Sequence, residues 1–153
     1  MTPKEQLEQE MTALLGEQLR RYFPADGNDH AAIWLSQTFA QIVKAIGAGD
    51  TVAVAIACQL IERDPMLPFG KLIKSSLARA LKKRVELLSA AERKKIVATT
   101  IKLLNLPFAP CELEDYCKLV KKFGLADPAR ELSEVQTKNP KAAALMAYLA
   151  GGL

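Results

Sequence analysis

Helix-start and helix-stop signals punctuate this chain from one end to the other, and nowhere do apolar and polar residues alternate between turn residues as a half-buried strand requires. Thr2, Asp29, Asp50, Ser89, Asp127 and Asn139 each stand where a helix needs a side-chain oxygen to accept from its first free N–H groups. Pro3, Pro128 and Pro140 follow three of them at the first helical position, where a missing N–H costs nothing. Even the β-branched run Thr51, Val52, Val54 and Ile56 sits among alanines and continues into Leu60 and Ile61. The pattern predicts an all-α fold of about eight helices in a single domain over residues 1–153.

Each helix has its own apolar stripe. The first carries Leu7, Met11, Leu14, Leu15 and Leu19 and is expected to stop at Phe23-Pro24, with Asp26-Gly27-Asn28-Asp29 as the turn. The second runs from His30 to Ile46 with Asp29 as cap, Ile33, Trp34, Ile42, Val43 and Ile46 among its apolar residues, and Gly47 as stop. The third, from Asp50 to Asp64-Pro65, is apolar on nearly every side and reads as a central helix. The fourth, Phe69 to Leu88, gathers Phe69, Ile73, Leu77, Ala80, Leu81, Val85 and Leu88 on one side. Ser89 with Glu92 forms a capping box for the fifth, which ends before Pro107; the sixth spans Cys111 to Phe123 and closes at Gly124. Two shorter helices begin at Asp127-Pro128 and Asn139-Pro140.

The helices pair around proline-bearing turns at Pro24, Pro68, Pro107 and Pro140, spaced by 44, 39 and 33 residues. Leu67-Pro68-Phe69 and Leu106-Pro107-Phe108 share a word at offset 39, and the same offset places Lys82-Lys83 on Lys121-Lys122. Over residues 50–124 the chain resembles a HEAT or armadillo helical-repeat protein, whose units have a period near 40 residues. The resemblance implies stacked helical hairpins in a right-handed array; the helix pattern by itself is equally compatible with a compact helical bundle.

The chemistry-bearing residues are few. His30 is the single histidine, and at a helix start the dipole disfavours its protonation. Cys58, Cys111 and Cys117 are spaced by 53 and 6 residues, which fits no zinc-binding pair. Three cysteines and no apolar leader favour a reducing, cytoplasmic setting. No phosphate-cradling glycine loop occurs, and the acids Glu112, Glu114 and Asp115 fall in a first helical turn, where the dipole favours them in any case. No catalytic role, cofactor or metal is therefore assigned, and no apolar run reaches the ~20 residues of a membrane span.

Charge is the lopsided feature. From Gly70 to Leu104 there are ten Lys or Arg against two Glu, giving +8; the remainder has eleven against fifteen, giving −4. Lys71, Lys74, Arg79 and Lys82 are expected to project from the fourth helix opposite its apolar stripe, and Arg93, Lys94, Lys95 and Lys102 to join them from the fifth by antiparallel packing. Such a patch suits an acidic protein partner, making the chain a small interaction module of adaptor, regulatory or chaperone-like type. Nucleic-acid phosphates are the alternative partner, but residues 70–107 contain no aromatic for base stacking. The apolar helix after Asn139 must dock on the domain or form a homodimer seam.

Overall fold

The computed structural model describes residues 1–25, 29–67 and 70–151, together with the backbone but not the side chain of Lys71. It is all-helical, with no strand among the described residues. Among the described residues eight α-helices follow in order: α1 (Pro3–Leu15), α2 (Ala31–Gly47), α3 (Thr51–Arg63), α4 (Gly70–Lys83), α5 (Ala90–Leu104), α6 (Cys111–Phe123), α7 (Pro128–Leu132) and α8 (Pro140–Leu149). Among the described residues no helix is long and apolar enough to cross a membrane. Residues 26–28 of the expected first turn, and Pro68 and Phe69, where the second proline turn and the start of the fourth helix are expected, lie outside the described residues, as does the Lys71 side chain.

Where helix starts depend on local hydrogen bonds, they fall where the sequence places them. Thr2 Oγ1 accepts from the Glu5 amide, Asp50 Oδ1 from Val52 and Ala53, and Asn139 Oδ1 from Lys141 and Ala142. Ser89 and Glu92 form the full reciprocal capping box. Helix ends are less faithful to expectation. The first helix stops at Leu15, because Gly16 takes φ +96°, and the chain goes on to Phe23 through a 3-10 turn, Glu17–Tyr22. The fourth stops at Lys83 rather than Leu88, with a second 3-10 turn, Val85–Leu87, between it and α5. His30, not Asp29, occupies the cap position of α2. Asp64 closes α3 in the left-handed conformation at φ 49°.

Packing follows a regular adjacency. α1, α3 and α5 pack in succession on one another, as do α2, α4 and α6, and α2 also contacts α1 and α3. α3 carries the continuous buried surface expected of it, through Ala53, Val54, Ile56, Ala57, Cys58, Leu60 and Ile61. The principal partner of α4 is α6, and α5 leans on α6 and α3, so α4 and α5 are not merged by direct antiparallel packing.

Tyr22 ties the first 3-10 turn to this frame. Its hydroxyl donates to Asp50 Oδ2 at 2.6 Å, while the same carboxylate caps α3. Burial and the adjacent carboxylate push the Tyr22 hydroxyl up to about 12; the same hydrogen bond holds Asp50 below the usual carboxylate range. The signs are opposite. The stabilisation linked to Tyr22 is full below pH ~10 and is lost as pH rises through about 12, and that linked to Asp50 is present above pH ~4 and is lost as pH falls below it. Denaturant midpoints across pH should therefore show an alkaline loss that Tyr22→Phe reduces, the remainder coming from the buried Cys58, Cys117 and Tyr116, which burial also pushes up; an unchanged alkaline limb in that variant would contradict the link.

α8 docks on α5 and α6, with Ala142 and Leu149 buried and the Lys121 ammonium 5.5 Å from the centre of the Tyr148 ring. Deleting residues 140–153 uncovers the α6 surface beneath. At about 2 kcal/mol for the apolar burial removed, and ~2–4 °C per kcal/mol for a domain of this size, the melting temperature should fall by about 4–8 °C. An unchanged melting temperature and sedimentation coefficient would show that α8 is dispensable.

Candidate interaction surface

The cations assigned to one patch separate into three groups. Lys74 is a correction: it is 6% exposed, not projecting. Its ammonium lies 2.6 Å from Asp64 and 3.7 Å from Glu112 at the α4–α6 seam. The helical wheel explains why, since Lys74 and Leu81 are seven residues apart and share a face, and Leu81 is fully buried. Lys74 therefore belongs to the packing of the domain and leaves the patch.

Arg79, Arg93 and Lys95 are engaged within the chain. Arg79 is exposed but lies 3.2 Å from Asp115 on α6. Arg93 donates to the Val85 carbonyl and stacks its guanidinium 5.6 Å from the Phe123 ring centre. Lys95 pairs with Glu62 at 3.5 Å. A polar pocket of about 380 Å³ opens beside that pair between α3 and α5, with Cys58 in its wall. Burial, then the charge of Glu92, pushes the Cys58 thiol well above its ordinary range, so it is not a poised nucleophile. Burial likewise pushes Cys117 up to about 12.

Lys82, Lys94 and Lys102 remain exposed and make no ion pair among the described residues, and Lys83 behaves in the same way. Among the described side chains of α4 and α5, these four lysines are exposed without an ion pair. Lys71 holds its place in α4, but its side chain lies outside the described residues.

No group of three metal-ligating side chains occurs among the described residues. His30 is exposed at the amino end of α2, and Glu114 pairs with Lys118 at 3.6 Å on the surface of α6.

A second surface feature escaped the sequence reading. Between α2 and α4 runs an apolar groove of about 710 Å³, walled by Ile33, Ser36, Ala40 and Val43 on one side and Leu72, Ile73 and Ser76 on the other. Ile33 is 41% exposed and Leu72 60%, so not every apolar residue the sequence lists for the second helix turns to the core. The two helices run in the same direction: α2 from Ala32 to Val43 and the amino-terminal part of α4 form the groove, and near their carboxyl ends Arg84 donates to the Gly47 carbonyl. One sequence signal did point here. α2 has no charged residue before Lys44, although Ile33, Ser36, Ala40 and Gln41 all face solvent.

No known protein family matches the sequence, and neither a curated protein nor a solved structure matches it.

Proposed function

We propose that the chain is a small helical protein-interaction module, of adaptor, regulatory or chaperone-like type, that meets an acidic protein partner through the exposed cations of α4 and α5. The observation that carries this reading is the set Lys82, Lys94 and Lys102, exposed and unpaired among the described residues while neighbouring cations are neutralised within the chain. Uncompensated charge of one sign steers an oppositely charged partner and acts mainly on association rate. The succession of α1, α3 and α5 beside α2, α4 and α6 supports reading the domain as an array of helical hairpins of HEAT or armadillo kind, an architecture suited to broad binding faces. Three free thiols, two of them buried, suit a reducing, cytoplasmic setting, and no catalysis is part of this reading.

Nucleic acid is the competing partner, on the strength of the +8 charge of residues 70–104. Affinity capture from cells, comparing the wild-type chain with a Lys82→Glu/Lys94→Glu/Lys102→Glu variant, separates the two. Acidic proteins captured by the wild type and lost from the variant are the expected result. Capture of nucleic acid alone, or an identical set of proteins with both baits, would refute the reading.

A further inference from the structure

The α2–α4 groove and the charges around it define a narrower partner than an acidic surface in general. We propose that the groove docks an amphipathic, acidic helix of a partner protein, with apolar anchors seated between Ile33 and Leu72 and carboxylates facing the cations at the groove's carboxyl end. This deepens the protein-interaction reading and rests on it.

Three observations fix the occupant. From Ala32 to Val43 the α2 wall is about 16 Å long at 1.5 Å per residue, the length of three helical turns and of an anchor set at i, i+4, i+7 and i+11, and Leu72 to Ser76 of α4 face about one turn of it. Ser36, Ala40 and Ser76 are small and exposed, so a helix backbone can lie close between the walls. Finally, α2 and α4 carry no carboxylate, and three of their cations, Lys44, Lys82 and Lys83, are exposed with no ion pair among the described residues. Lys83 lies two turns beyond Ser76, so an exposed ammonium stands past the carboxyl end of the α4 wall, while Lys44, one turn beyond Ala40, borders the adjoining hollow lined by Arg21 and Tyr22.

The alternatives fit less well. A second copy of this chain docked by the same face would set these cations against each other across a partly desolvated seam, which like charges oppose. Bases find no exposed Phe, Tyr or Trp ring to stack on among the described lining residues, since Phe39 at the groove floor is 2% exposed. A fatty acid would match the charge but would lie largely uncovered in a groove whose lips are open at Ile33 and Leu72.

The test is fluorescence anisotropy with the full chain and three synthetic helices of about 16 residues. One has leucine at the four anchor positions and glutamate on the flanks, the second has lysine for glutamate, and the third has alanine for leucine. The first should bind on the order of tenfold more tightly than either control, and Ala40→Glu and Ser76→Glu should each weaken it on the order of tenfold. Both positions are exposed, so each variant should keep the wild-type melting temperature, and agreement between them guards against one misfolded protein. Equal binding of the three peptides, indifference to both substitutions, or displacement by dodecanoate or duplex DNA would overturn the proposal. The Lys82→Glu/Lys94→Glu/Lys102→Glu variant separates this inference from the reading beneath it. Peptide binding kept in that variant and lost in Ala40→Glu upholds the groove; binding lost there and kept in Ala40→Glu refutes the groove and leaves the cationic surface standing.

Discussion

Lys74→Ala is expected to destabilise the protein by about 3–5 kcal/mol, where Lys82→Ala two turns further along α4 should cost under ~0.5 kcal/mol. Lys74 is buried with two carboxylates, and Glu112, 7% exposed, would be left charged in an apolar seam with no compensating ammonium. Removing one member of a buried ion cluster costs more than the cluster itself contributes, because the desolvated remainder stays behind. The paired variant Lys74→Met/Glu112→Leu should accordingly lose much less than Lys74→Ala, since Asp64 is open enough to be hydrated. Urea denaturation of the four proteins checks this. A loss below ~1 kcal/mol for Lys74→Ala would show that the seam is solvated.

Trp34→Ala carries an effect of similar size. Trp34 is 1% exposed, and its ring meets Phe23 edge-on at 5.0 Å, fastening the segment before α2 to the helix. Truncation leaves a large cavity and releases that contact, for an expected loss of about 3–5 kcal/mol. The adjacent Ile33→Ala should change stability by no more than ~0.5 kcal/mol, because its side chain faces the groove rather than the core. The contrast between neighbours distinguishes a groove wall from a core position. Equal losses at both would mean that Ile33 is covered in solution.

These two pairs mark the boundary of what the sequence discloses. Caps at Thr2, Asp50, Asp127 and Asn139, and the Ser89–Glu92 box, were legible because each is closed by hydrogen bonds spanning two or three residues. The end of α1 at Gly16 and of α4 at Lys83 was not, since apolar spacing continued past both and only the backbone conformation breaks it. For Lys74 the helical wheel held the answer in its alignment with Leu81; treating every lysine as a solvent-facing residue hid it, because the paired acids Asp64 and Glu112 are 10 and 38 positions away. The groove was half legible. An uncharged α2 advertised one wall, but the choice of α4 as the other is a matter of tertiary packing that no local pattern contains.

The most direct measurement for the protein-interaction reading is a titration of labelled duplex and single-stranded nucleic acid with the purified chain from low to physiological salt. Each neutralised phosphate releases condensed counterion, so a phosphate-binding surface shows steep salt dependence, and nonspecific complexes at physiological salt dissociate at ~1–100 µM. Feeble binding is expected even at low salt, with no change in the Lys82→Glu/Lys94→Glu/Lys102→Glu variant at physiological salt. Sub-micromolar binding at physiological salt that this variant loses would contradict it and make phosphates, not an acidic protein, the target of these cations.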